Sequence, residues 1–180
     1  MGKAGRTAGG TVRHLVPALA LALAVLAPPA YAGPRTSTPP PPWLYRYSYS
    51  LGLHPFTGPD AVRAQLTDHF WMFPVSGSCP ARIRPADECD LLGGNPVRVE
   101  SAAGDHLQIA TLPGHDLGEG LHIRFTFTRT LGFHYLVVGA WQDRPTPCTE
   151  AVLCGAASRA GAWALWRVLA GTLALSAYAA

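Results

Sequence analysis

The sequence predicts an α+β domain: a curved antiparallel sheet of about five strands, with one helix in the N-terminal half and another at the C-terminus packed on one face. Three observations lead there. Residues 43–51 and 121–129 alternate between apolar and polar side chains, the period-two pattern of half-buried strands. Residues 58–73 place Val62, Leu66, His69, Phe70 and Phe73 at helical spacing. Residues 160–180 are rich in Ala and Leu, which favour helix. Strands grouped together, rather than each followed by a helix, point to an antiparallel sheet with segregated helices.

The elements follow in order. Residues 1–32 combine a positive start (Lys3, Arg6, Arg13), an apolar run from Leu15 to Ala27 and the small-residue exit Ala30-Tyr31-Ala32. That is the layout of a secretory signal peptide. The apolar run is short for a bilayer span, and Pro28-Pro29 interrupts it. The chain carries 14 basic and 11 acidic residues, and three of the basic ones lie in the leader. The remaining chain is near neutral, with scattered Arg residues and no basic stripe, so nucleic acid is not an expected partner. Residues 33–42 include Pro39 to Pro42 and read as an extended Pro-rich linker. Residues 43–180 then form a single secreted domain, large enough to bury a core.

In the first strand, Trp43, Tyr45, Tyr47, Tyr49 and Leu51 share one face. The helix after it begins at Gly58-Pro59-Asp60, with Asp60 available as a cap, and runs to Pro74. His69, beside Phe70 and Trp71, reads as a partly buried histidine. Residues 76–96 hold turn formers throughout and read as an irregular loop. Cys79, Cys89, Cys148 and Cys154 are an even set in an exported chain, which favours disulfides. The preferred pairing is Cys79–Cys89 and Cys148–Cys154, since each closes a short loop. These spacings lack the Cys-x-x-Cys pairs of a zinc site, so neither metal nor cofactor is expected.

Residues 97–101 and 106–112 read as two strands across the turn Ala102-Ala103-Gly104-Asp105. The last hairpin puts Leu121, Ile123, Phe125 and Phe127 on one face, turns at Thr130-Leu131-Gly132 and returns through residues 133–141. Setting Arg129 opposite Phe133 pairs Phe127 with Tyr135, Phe125 with Val137, His122 with Ala140 and Leu121 with Trp141. His122 and His134 then lie roughly 20 Å apart and cannot share an ion. Gly139 marks a gap or a close approach.

Candidate chemistry gathers in the loop Leu112-Pro113-Gly114-His115-Asp116-Leu117-Gly118-Glu119-Gly120. His115 is a candidate general base, with Asp116 or Glu119 orienting it. Ser76 and Ser78 are possible nucleophiles, although neither lies in Gly-x-Ser-x-Gly. The same residues also suit a solvated connection between strands. From Leu112 to Pro145, the Leu-Pro-Gly-His and Gly-Glu pair before a hairpin, ending in Ala-Trp-Gln-Asp-Arg-Pro, resembles an uncharacterised bacterial and plant domain family. That resemblance implies no catalytic residue.

A sheet gripping a helix leaves an apolar pocket between them. The leading expectation is therefore a secreted, non-enzymatic binding or interaction module for an apolar small molecule or a cell-envelope component. Its ligand-binding residues would be Tyr45, Tyr47, Tyr49, Phe125, Phe127, Tyr135 and Trp141. The alternatives are a small secreted hydrolase using His115 with Asp116 or Glu119, and an envelope protein tethered by residues 160–180. Against the tether, Arg167 sits inside the apolar segment and no positive residue follows it.

Overall fold

Strand β1 (Tyr45–Leu53) opens the fold seen in the computed structural model, which describes residues 42–176. The expected signal peptide, the linker up to residue 41 and residues 177–180 lie outside the described residues. Helix α1 (Pro59–Asp68) and a short 3-10 turn (Phe70–Met72) follow β1. Five strands then run as a meander: β2 (Glu88–Leu91), β3 (Asn95–Ala103), β4 (His106–Thr111), β5 (Leu121–Thr130) and β6 (Phe133–Gln142). A single-turn helix α2 (Pro147–Glu150) leads into the long helix α3 (Val152–Ser176). The sheet is antiparallel, with order β1-β6-β5-β4-β3-β2. The α+β architecture is the expected one. The sixth strand is β2, inside the segment read as irregular. It is only four residues long and mostly polar, so it carries almost no alternation signal.

Both helices lie on one face. Helix α1 crosses β3, β4 and β5, while α3 lies along β1. Leu107, Phe125, Phe127, Leu136 and Val138 meet Leu66, Phe70, Phe73, Trp166, Leu169 and Leu173 in one buried core. Phe73, Phe125 and Trp166 form an aromatic knot with ring centroids 5.0–5.6 Å apart. Helix α3 buries Trp166, Leu169, Ala170 and Leu173. No helix among the described residues is long and apolar enough to cross a membrane.

Both disulfides form as expected, Cys79–Cys89 and Cys148–Cys154, with Cα separations of 4.9 and 5.0 Å. The first pins the long 3-10-to-β2 connection against the sheet. The second clasps α2 to the start of α3.

Several local expectations are corrected. The β5–β6 register is displaced by one residue: Phe127 faces Leu136, Phe125 faces Val138, His122 faces Trp141 and Arg129 faces His134. The turn is the two residues Leu131-Gly132, both at positive φ (51° and 83°). Two positive φ angles match the right-handed twist of the flanking strands, as in a type I′ turn, so a two-residue loop wins over the three-residue one. The slip turns Tyr135 and Trp141 to the outer face of the sheet and sends Leu136, Val138 and Ala140 into the core. Helix α1 ends at Asp68 rather than at Pro74, because the backbone of the next loop takes over its bonds. Ile83 N–H donates to Thr67 O, and Phe70 N–H donates to Ala81 O. His69 is consequently exposed, its Nδ1 near Gln65 O, instead of partly buried. The helix is capped by Gly58 with Pro59 as its first residue, and Asp60 makes no cap bond. Trp43 leaves the tyrosine face: its ring covers Gly139 and meets Trp141 edge-on at 5.4 Å. A side chain at 139 would occupy the space of that ring, which is the close approach the glycine allows.

Candidate functional site: a cavity between the sheet and the C-terminal helix

The tyrosine face of β1 is the seat of α3. Tyr47 Oη donates to Arg159 O at 3.0 Å, and Tyr49 Oη donates to Trp163 O at 2.9 Å. Two strand residues advance about 6.6 Å and four helical residues about 6 Å, so alternate tyrosines meet successive helical turns. The accepting carbonyls have a second lone pair beyond their helical bond. Tyr45 Oη instead accepts from Trp166 Nε1 at 3.1 Å, anchoring the buried indole. Burial raises the Tyr45 phenol well above its ordinary range, only partly offset by the Trp166 bond. Burial, with Tyr47 alongside, pushes Tyr49 up to about 12. Tyr45 and Tyr49 therefore stay neutral at physiological pH.

Beside this seam, the first half of α3 stands off the sheet and leaves a cavity of about 390 Å³. Its walls are mainly apolar: Leu44, Val75, Leu91, Leu121, Ile123, Leu165 and Trp166 among them. Asn95, His115, Asp116, Gln142, Thr146 and Thr149 supply polar groups, and Arg159 stands on the helix side. The polar loop from Leu112 to Gly120 thus forms part of the wall, a position its residue pattern did not reveal.

Within that loop, Leu117 N–H donates to His115 Nδ1 at 3.1 Å. A backbone N–H can only donate, so Nδ1 carries a lone pair and the proton sits on Nε2. Burial lowers the His115 pKa, with Asp116 opposing, so the imidazole is neutral at pH 7. Asp116 is held elsewhere: its Oδ2 accepts from Asn95 Nδ2 at 3.2 Å, and its N–H donates to Asn95 Oδ1 at 2.8 Å. Glu119 is exposed on the far side of the loop sequence. In a Ser-His-Asp arrangement the imidazole needs a free lone pair facing the reacting proton and a carboxylate on the opposite nitrogen. Here the backbone occupies Nδ1, and Nε2 is a donor. Ser78 Oγ donates to Asp90 O, and neither Ser76 nor Ser78 lines the cavity.

Of the seven aromatic residues expected to bind ligand, Tyr45 lines the cavity. Tyr47 and Tyr49 lie under α3, and Phe125 and Phe127 are wholly buried in the core. Tyr135 and Trp141 are on the outer face. There Trp141 stacks on His122 with ring centroids 5.1 Å apart, and the Arg124 guanidinium lies 5.7 Å from the Trp141 ring centre. His122 Nδ1 is 2.9 Å from Glu100 Oε2, and Nε2 is 3.2 Å from Asp143 Oδ2 with that carboxylate off the N–H axis. Burial pulls the His122 pKa down, but the two carboxylates outweigh it and the net shift is upward. His134 is on the opposite face, fully buried, with Nε2 3.0 Å from Thr57 O and its pKa lowered chiefly by burial. The two histidines make no joint site. Among the described residues, no group of three or more His, Cys, Asp or Glu is placed to hold a metal ion.

Gln142 and Asn95 are polar cavity residues that the sequence did not single out. Trp166 carried a signal, as a tryptophan at helical spacing from Trp163, Leu169 and Leu173. Gln142 carried none, since it follows the strand's last aromatic residue and the register needed to aim it was displaced.

The fold and cavity define the class of protein: a single antiparallel sheet that grips its C-terminal helix over an apolar hollow. No protein-family model matches the chain, and no curated protein does either. Solved structures do share its architecture. DynU16, a protein of the dynemicin biosynthetic locus, is 18% identical over 71% of this chain and 45% of its own, with a TM-score of 0.50. The chain therefore spans less than half of DynU16. The protein MLL2253 from Mesorhizobium loti is 14% identical over 72% of this chain and 96% of its own, also with a TM-score of 0.50. At this identity the likeness is one of fold.

Proposed function

We propose that this chain is an exported, non-enzymatic binding module that holds an apolar small molecule or cell-envelope component between its sheet and α3. The observation that carries the reading is the cavity itself: about 390 Å³, walled mostly by aliphatic and aromatic side chains, with a few polar groups. Small-molecule sites have this size and composition. The neutral, backbone-bonded His115 and the Asn95-bound Asp116 serve better as wall and hydrogen-bonding groups than as an acid–base pair. Export is supported by the leader-like residues 1–32 and by two disulfides, which persist in oxidising compartments.

The test is a titration with Nile red, whose emission rises in an apolar site. Wild-type protein should bind it saturably. Ala162 lines the cavity from α3, and Ala162→Trp should fill the space and weaken binding at least tenfold without unfolding the domain. Equal binding by a folded Ala162→Trp protein would place the dye elsewhere and overturn the proposal.

A further inference from the structure

The polar groups of the cavity are not equivalent, and their donor–acceptor pattern narrows the ligand. Gln142 and His115 are joined through one residue. Leu117 N–H donates to His115 Nδ1, and Leu117 O accepts from Gln142 Nε2 at 3.5 Å. The amide is thereby oriented with Nε2 toward the loop. Its Oε1 is sealed from solvent and has no hydrogen-bond partner among the described residues. A buried acceptor without a partner is unfavourable, so the site gains when a donor reaches it. The single long bond on Nε2 resists a turn of the amide toward the cavity only weakly. His115, in the same cavity wall, carries its proton on Nε2 and is the complementary donor.

We infer that the cavity selects a neutral amphiphile whose polar end both donates and accepts a hydrogen bond, a hydroxyl or a primary amide, and that Gln142 Oε1 takes the donated bond. This deepens the binding proposal and rests on it. A carboxylate head has no proton to give Gln142, and the wall charges, Asp116 on the loop and Arg159 on the helix, offset each other, so the hydrogen-bond pattern rather than charge sets the preference. A pure hydrocarbon would leave both Gln142 and His115 unanswered. The apolar body lies along Leu121, Ile123, Leu165 and Trp166. At protein-like packing density the space holds about twenty non-hydrogen atoms.

The test uses three fluorescent probes of matched shape and about that size: pyrene-butanol, pyrene-butyrate and butylpyrene. The purified protein should bind the alcohol roughly five- to tenfold tighter than the hydrocarbon, the size of one neutral hydrogen bond, and tighter than the carboxylate. In Gln142→Met the preference for alcohol over hydrocarbon should fall to twofold or less, with hydrocarbon affinity nearly unchanged. Carboxylate bound as tightly as alcohol, or an undiminished preference in Gln142→Met, would overturn the inference while leaving the apolar-site reading standing. The wild-type comparison decides between head groups even where the variant folds poorly. Failure of all three probes to bind would remove the cavity as a binding site, and the inference with it.

Discussion

Replacing Tyr45 with Phe isolates the bond that seats α3. The variant keeps the ring stacked on Tyr47, whose centroid is 4.9 Å away, and deletes only the acceptor for Trp166 Nε1. Trp166 is 3% exposed, so its indole N–H is largely shut off from bulk water. A buried donor left unsatisfied costs about 1–3 kcal/mol. For a domain of this size that is on the order of 3–10 °C in Tm. Urea unfolding at pH 7 should show a lower midpoint with an unchanged slope, since the surface exposed on unfolding is the same. In a Trp166→Phe background the donor is already absent, so Tyr45→Phe should then cost less than about 0.5 kcal/mol. A loss of the same size in both backgrounds, or none in either, would refute the claim that this hydrogen bond anchors the helix.

Other consequences follow from single residues. Leu131 holds φ 51° while 93% exposed, a conformation that costs a non-glycine residue about 1 kcal/mol. Leu131→Asn should therefore raise stability by about 0.5–1 kcal/mol in thermal unfolding. The raised His122 pKa means its pairing with Glu100 and Asp143 stabilises the fold fully below the unfolded value of 6.5 and is lost as pH climbs through the higher folded value. The stability gap between wild type and His122→Gln should accordingly narrow as pH rises from 6 to 9; a gap that widens would contradict the assignment. Lowered His115 and His134 act oppositely, weakening the fold as pH drops below 6.5. Replacing Cys148 and Cys154 together with Ser should cost about 2–3 kcal/mol, the loop-closure value for a bridge of six-residue separation.

The alternating runs made β1, β5 and β6 legible, because side-chain period and burial coincide there. The meander and the C-terminal helix followed from their order and composition, and both disulfides from short loop closure. The β5–β6 register was harder to read. Phe127 opposite Tyr135 or opposite Leu136 both make apolar pairs, and only the backbone of Leu131-Gly132 decides between them. The tyrosine ladder was visible, but its purpose was not. The hydroxyls of Tyr47 and Tyr49 find partners 112 and 114 residues away, which no local pattern encodes. His115 and Asp116 stood out as chemistry-bearing types, and both line the cavity. Their hydrogen bonds to Leu117 and Asn95 depend on how the loop folds against the β2–β3 turn, which single-residue reasoning does not reach.

A nitrogen-15 correlation titration with pyrene-butanol shows whether the space beneath α3 takes up a ligand. Saturable shifts are expected at Leu117, Leu121, Ile123, Gln142, Ala162 and Leu165, with Tyr135 and Val137 on the outer face unmoved. Shifts confined to exposed apolar residues such as Phe56 and Leu131 would contradict binding in the cavity, because the probe would then be adhering to the surface while the space beneath α3 stayed empty.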